Sequence, residues 1–271
     1  MSDETPTRRP VPTALTIAGS DPSGGAGLQA DLKTFHQHGV YGMAVVTLLT
    51  VQNTRSVSRV EVMPADLVRQ QLEAVLADVP PRAVKTGALG NAEVIRAVAG
   101  MRFGAPLVVD PVMVSKHGHA LMAPDAKDAL LSLLLPVTTL LTPNTQEAAA
   151  MLGAPVETLA QAEAAAEALS RLGPTAVLVK GGHLTGPESI DVLFHAGRVT
   201  RFEAPRVDTR HTHGTGCTYS AAITAGLAAG LPLELAVARA KAWLTSALLT
   251  PPDIGGGIGP VDHFAATFRA G

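Results

Sequence analysis

Residues 14–38, ALTIAGSDPSGGAGLQADLKTFHQH, decide the fold of this 271-residue chain. The apolar run at 14–18 has the composition of a short buried strand. Gly19, Gly24, Gly25 and Gly27 then break the pattern, with Ser20, Asp21, Pro22 and Ser23 among them, and from 26 to 38 the residues suit a helix. Strand, glycine-rich turn and helix in that order form a βα unit, the element from which mostly parallel sheets are built.

The alternation persists outward from this unit. Apolar β-forming runs at 44–51, 83–86, 107–110, 139–142 and 176–180 alternate with helical stretches at 65–78, 92–99, 125–134, 146–152, 159–172, 216–229 and 233–249. Residues 190–195 and 198–202 read as a hairpin turning at His195, Ala196 and Gly197. The fold class is therefore α/β, with a mostly parallel central sheet and helices on both faces.

Composition narrows the partners. A net charge of -2, an aromatic content of 3% and the lack of a basic cluster argue against nucleic acid or a membrane surface, leaving small molecules. A hydrophobic content of 46% is enough for one sizeable core, so residues 13–271 are expected to form one domain behind a disordered tail at 1–12 rich in Pro, Thr and charge. One cysteine makes no internal disulfide, and residues 1–12 show neither a signal core nor a transit pattern; a cytoplasmic location is expected.

In an open parallel sheet, ligands bind beyond the carboxyl ends of the strands. The residues expected there are Gly19 to Gly27, then Gln52 and Asn53, Lys85 to Leu89, Asp110 to Met113, Asn144 to Glu147, and Lys180 to His183. Turn and cap chemistry accounts in part for Ser23 and Asn144. It does not account for Lys180 before two glycines or for Gln52 leaving an apolar strand. Near the end, Gly214, Thr215, Gly216 and Cys217 open an alanine-rich helix, so their backbone N–H groups are expected to form an anion site in which the thiol ionises readily. GxxxxGK[ST] is absent and the 214–219 segment fails GxGxxG, so phosphate is expected on a different loop. No zinc-type spacing occurs. His183, His211 and His213 fall near the expected ligand loops.

With these segments in view, AGSDPSGGAGLQADLKTF (18–35), VQNT (51–54), DPVM (110–113), TPNTQEA (142–148), VKGGH (179–183), THGTGCTYSAA (212–222) and GIGPVDHF (257–264) resemble the hydroxymethylpyrimidine/phosphomethylpyrimidine kinases of thiamine biosynthesis, members of the ribokinase-like superfamily. The resemblance implies a three-layer ribokinase-like fold, ATP and Mg²⁺ as cofactors, a pyrimidine alcohol as substrate and a homodimer. It implies that Gln52 reads the ring's nitrogen edge, that Asp31 is a second polar contact to the ring, and that Gly19, Ala88 and Val112 line the pocket. Cys217 stands where sugar kinases of the superfamily carry a catalytic Asp and would serve as base or positioning group, beside the amides of Gly214, Thr215 and Gly216. Asn144 and Glu147 resemble the segment that orders Mg²⁺, with Asp110 adding to that site, and Lys180 resembles a residue near the ATP phosphates.

One departure concerns residue 88, where the family often carries methionine and this chain has Ala88. Either the pocket is looser and admits a pyridine such as pyridoxal, making a pyridoxal kinase or dual-specificity enzyme the alternative, or Met113 or Met43 compensates. Residues 115–119 are expected to act as a lid.

Overall fold

The computed structural model describes residues 11–115, 118–123 and 125–267. Residues 1–10 of the expected tail, and 116 and 117 of the expected lid, lie outside that description. Among the described residues, β1 (Thr13–Ser20), β2 (Tyr41–Gln52), β3 (Val57–Val62), β4 (Ala83–Thr86), β5 (Leu107–Val109), β6 (Leu140–Leu141), β7 (Ala176–Val179), β8 (Glu188–His195) and β9 (Arg198–Pro205) form a nine-stranded sheet ordered β3-β2-β1-β4-β5-β6-β7-β8-β9. Strands β2, β1, β4, β5, β6 and β7 are parallel. β3 pairs antiparallel at one edge, and the β8–β9 hairpin does so at the other.

The helices are α1 (Gly27–Gln37), α2 (Ala65–Asp78), α3 (Ala92–Ala99), α4 (Ala126–Ala129), α5 (Thr145–Leu152), α6 (Leu159–Ser170), α7 (Thr215–Ala228) and α8 (Leu233–Leu249). They form two layers, because the inner strands are apolar on both faces. Leu107 and Val109 of β5 pack with Leu72 of α2, Ile95 of α3, Ala148 of α5 and Ala165 of α6. Val108, between them, points the other way and packs with Ile223 of α7 and Trp243 of α8. The period of two repeats in β7, where Val177 and Val179 face one layer and Ala176 and Leu178 the other. Phe35 of α1 joins Ala221 and Ala225 of α7 beside Ala14 and Ala83.

Two elements differ from the sequence reading. β3 was not expected; its half-exposed VSRVEV edge carries too little apolar signal. The helix expected over 125–134 is instead one α-helical turn, a π turn at Leu130–Leu134 and a 3₁₀ turn at Leu135–Val137. Pro136 sits in that last turn without an N–H to give, so the regular ladder cannot run through it.

The strand order places the ligand crevice. From β1 the chain moves to β2 and β3 on one side, then resumes at β4 on β1's other side, so the loops leaving β1 and β4 diverge at their carboxyl ends.

Candidate active site

A cleft of about 660 Å³ runs along these carboxyl ends, from the loop after β1 to the N-terminal half of the site at α7 and on to α8. Gly19, Gln52, Ala88 and Val112 line it, as do Asp110, Asn144, Glu147 and Lys180 together with Gly214, Thr215, Gly216 and Cys217. Met113 also reaches the cleft, whereas Met43 packs against the core, so of the two methionines only Met113 is placed to fill space beside Ala88. Ser115 and Gly118 of the expected lid border the cleft.

Close backbone approach builds the centre. Gly214 caps α7 at φ 73°, in the left-handed region, and a Cβ there would lie 1.8 Å from the Gly25 carbonyl oxygen. Glycine is thus required on two counts, and the loops after β1 and before α7 meet backbone to backbone. The first-turn amides of Gly216 and Cys217 lack a carbonyl four residues back within the helix, and they face the cleft as a nest of donors. A Cβ on Gly216 would stand 3.3 Å from Lys180 Nζ, so this glycine keeps the helix start open beside a cation.

Lys180 Nζ donates to Asp110 Oδ1 at 2.8 Å, and the pair borders the cleft with 12% and 2% side-chain exposure. Burial works against the ammonium, but the charges of Asp110 and Glu147 outweigh it and hold its pKa above the usual lysine range. Asn144 and Glu147 form a reciprocal capping box: each side chain accepts the other's backbone N–H at 2.8 Å. Burial pushes the Glu147 carboxyl up to about 7, Lys180 pulls it back in part, and Asp110 raises it further. Two carboxyl groups thus stand near one ammonium, Asp110 paired with it and Glu147 taking up its charge around pH 7. Such hard oxygen donors fit a divalent cation that keeps most of its water, although no group of three or more metal-ligating side chains occurs among the described residues.

Two expectations are corrected. Asp31 does not reach the cleft: it is fully buried, Lys85 Nζ donates to both its oxygens at 2.8 and 2.9 Å, and Thr16 donates at 2.5 Å. It is a structural ion pair behind the pocket wall, with no free edge for a ring. Nor does Cys217 ionise readily. Burial pushes its thiol up to about 11; the Lys85 charge and the Gly27 N–H favour the thiolate, while Asp31 and Asp110 oppose it. Desolvation, which disfavours the thiolate, is the largest influence on this sulfur.

Several residues at the cleft were given no role by the sequence reading. Asp21 accepts from the Ser23 N–H and hydroxyl, the Gly25 and Ala26 amides, and His213 Nε2 at 2.8 Å. Arg206 of the segment after β9 donates to the carbonyls of Gly182, Leu184, Gly186 and Glu188, tying down the loop that follows Lys180. Asp191 accepts from the Gly181 amide at 2.8 Å and from Lys241 Nζ at 2.7 Å, linking that loop to α8. The glycines and Asp21 mark their loop in the sequence, but Asp191 and Lys241 lie 50 positions apart with no motif around either.

An amide nest, a lysine and two carboxyl groups at the carboxyl edge of an α/β sheet form a set suited to holding a phosphoryl group. The family model "Phosphomethylpyrimidine kinase" matches residues 21–262. The chain is 51% identical over 256 residues to the hydroxymethylpyrimidine/phosphomethylpyrimidine kinase of Rhizobium meliloti, covering 93% of this chain and 96% of that one. Among solved structures it is similar to a phosphomethylpyrimidine kinase from Clostridium difficile (TM-score 0.77, 41% identity, 87% of this chain and 99% of that one). It is also similar to the Staphylococcus aureus pyridoxal kinase in complex with AMP-PCP and pyridoxal (TM-score 0.87, 35% identity, 95% of each chain). The chain belongs to the phosphomethylpyrimidine kinase family.

Proposed function

We propose that this enzyme transfers the γ-phosphoryl group of ATP to the hydroxymethyl oxygen of 4-amino-5-hydroxymethyl-2-methylpyrimidine, and then a second phosphoryl group to the resulting monophosphate. The observation that carries the reading is that the start of α7, Gln52 and the Lys180–Asp110 pair line one continuous cleft. A ring held by Gln52 and a phosphate chain beside Lys180 would converge on the amides of Gly216 and Cys217.

In the transfer, the substrate oxygen bonds to the γ-phosphorus as the bond to the β–γ bridging oxygen breaks, ADP departs, and the hydroxyl proton passes to an oxygen of the transferred phosphoryl group and from there to solvent. Little covalent work falls to the protein; positioning and charge stabilisation carry the acceleration. Lys180 and the nest face developing negative charge in a partly dry cleft. Burial disfavours the Cys217 thiolate, which favours a positioning role for this residue over that of a base. A neutral thiol also suits the second step, in which a substrate phosphate must occupy the place of a hydroxyl and an aspartate would repel it. Asp110 and Glu147 are the residues that would hold Mg²⁺, with Asn144 fixing Glu147; when bound, the ion neutralises phosphate charge.

Pyridoxal phosphorylation is the second reading, favoured by the small Ala88 side chain at the pocket and by the similarity to the staphylococcal pyridoxal kinase. A homodimer fits the exposed apolar side chains Tyr41, Leu49 and Val51 on β2. No helix among the described residues is long and apolar enough to cross a membrane, consistent with a cytoplasmic enzyme. The deciding measurement is product formation with ATP and Mg²⁺ from the pyrimidine alcohol and from pyridoxal at equal concentration. Successive appearance of the pyrimidine mono- and diphosphate, faster than pyridoxal phosphate, is expected; turnover of pyridoxal alone would reverse the assignment.

A further inference from the structure

Lys180 is held by its backbone on both sides. Its own N–H donates to the Pro143 carbonyl oxygen at 2.8 Å, and the chain then enters a turn in which the Leu184 N–H donates to the Gly181 carbonyl oxygen at 3.0 Å. The turn leaves no room for a side chain at its first residue, since a Cβ on Gly181 would lie 1.7 Å from the Ile190 carbonyl oxygen. The Gly181 N–H is taken by Asp191 of β8, whose Oδ1 accepts it at 2.8 Å. The other carboxylate oxygen accepts from Lys241 Nζ of α8 at 2.7 Å, and the same ammonium donates to Ser189 Oγ at 3.1 Å. Asp191 and Lys241 are both buried, so each supplies the counter-charge the other requires. Asp191 borders the cleft, yet both its oxygens are engaged within the protein.

We propose that Asp191, backed by Lys241, is a positioning residue that fixes the turn at Gly181 and thereby delivers the Lys180 ammonium to Asp110 and the start of α7. The geometric reason is the planarity of the peptide group. The bond to Pro143 pins the plane before the Lys180 Cα, and the bond to Asp191 pins the plane after it. With both planes held, the direction of the Cα–Cβ bond is set. The long flexible stem then starts from a fixed point, and Nζ reaches Asp110 Oδ1 at 2.8 Å. A carboxylate suits this task because a charge-assisted bond to an amide is stronger than one from a neutral oxygen, and because its second oxygen ties the turn to α8. The sealed carboxylate of Asp31 differs: its partners are side chains, Lys85 and Thr16, and it holds no backbone beside a residue of the cleft. The inference rests on the reading above that Lys180 faces the transferred phosphoryl group, and it adds the residue that places that charge.

The test is a double-mutant cycle in kcat, measured with ATP, Mg²⁺ and the pyrimidine alcohol. Asp191→Asn keeps the volume, but its one oxygen is drawn to the Lys241 ammonium, which leaves Nδ2 against the Gly181 N–H, donor facing donor. It should lower kcat about tenfold while the KM for the pyrimidine alcohol moves by less than about twofold. Lys180→Met should lower kcat about a hundredfold or more. The double variant should be as slow as Lys180→Met alone, to within about threefold, because no ammonium is left to place. Losses that multiply instead, to about a thousandfold, would mean that Asp191 acts on the fold at large, and they overturn the inference. Asp191→Asn turning over at the unaltered rate does so too. If Asp191→Asn does not fold, Gly181→Ala displaces the same turn through its Cβ and enters the cycle with the same expected outcomes. Lys180→Met at full speed would remove Lys180 from the proposed function and this inference with it, whereas a slow Lys180→Met with multiplying losses sinks this inference alone.

Discussion

Two aspartate–lysine pairs, Asp31–Lys85 and Asp110–Lys180, lie in the same molecule with the same closest N–O distance of 2.8 Å, yet they have different surroundings. The first is sealed, with both side chains at 0% exposure and Thr16 completing the carboxylate's partners. The second opens on the cleft, shares its field with Glu147 and stands beside a glycine that keeps the α7 start clear. Ion pairing by itself therefore says nothing about function. A sealed pair has spent its hydrogen-bonding capacity within the protein, whereas an open pair can exchange part of it for a ligand.

The comparison breaks first, and with the largest effect, at the sealed pair. Lys85→Met should cost about 3–5 kcal/mol in urea unfolding because Asp31 is left charged and alone, and the double change Asp31→Leu/Lys85→Met should recover most of it. A Lys85→Met protein of undiminished stability but lost activity would assign this pair to the site after all. Lys180→Met should behave in the opposite sense, with kcat falling about 10²–10³-fold and a far smaller loss of stability than Lys85→Met. Steady-state kinetics and thermal melts on the same preparations separate the two.

A smaller effect concerns Glu147, whose folded-state pKa of about 7 lies above its ordinary 4.5 because burial disfavours the charge. The folded protein holds this proton more tightly than the unfolded chain, so the associated stability is fully present below pH 4.5 and is lost as pH rises toward about 7. Melting temperatures of the unaltered enzyme, measured without nucleotide or Mg²⁺, should therefore decline relative to Glu147→Gln across that window and run parallel above it. A constant difference at all pH values would place Glu147 outside the electrostatic cluster.

Much of this architecture is legible in the residues. The sequence reading of α2, α3 and α8 agrees with the structure end to end, and the inner strands agree to within a residue or two except β2, which starts three residues earlier than read. These segments have strong periodicity and local stops: Asn91 caps α3 by accepting the Val94 amide, and Pro64 and Pro232 precede α2 and α8. β3 and the broken helix before Pro136 were harder to read, because an exposed edge strand needs its neighbour and a π turn has no compositional mark. At the site, glycine loops and strand-end polar residues pointed to the cleft. Asp31, with the same local signals, was misassigned because its partner Lys85 comes 54 positions later.

What the amino-acid sequence determined by itself was the layered α/β fold, the family, and the set of loops that meet at the carboxyl edge, since periodicity and turn chemistry act over short stretches of chain. Only the tertiary structure decided which charges are sealed and which are open, that burial raises the pKa of the Cys217 thiol, and that Asp21 meets His213 at the cleft. Each of these depends on desolvation and on hydrogen bonds between residues far apart in the chain, and neither exists until the chain has folded.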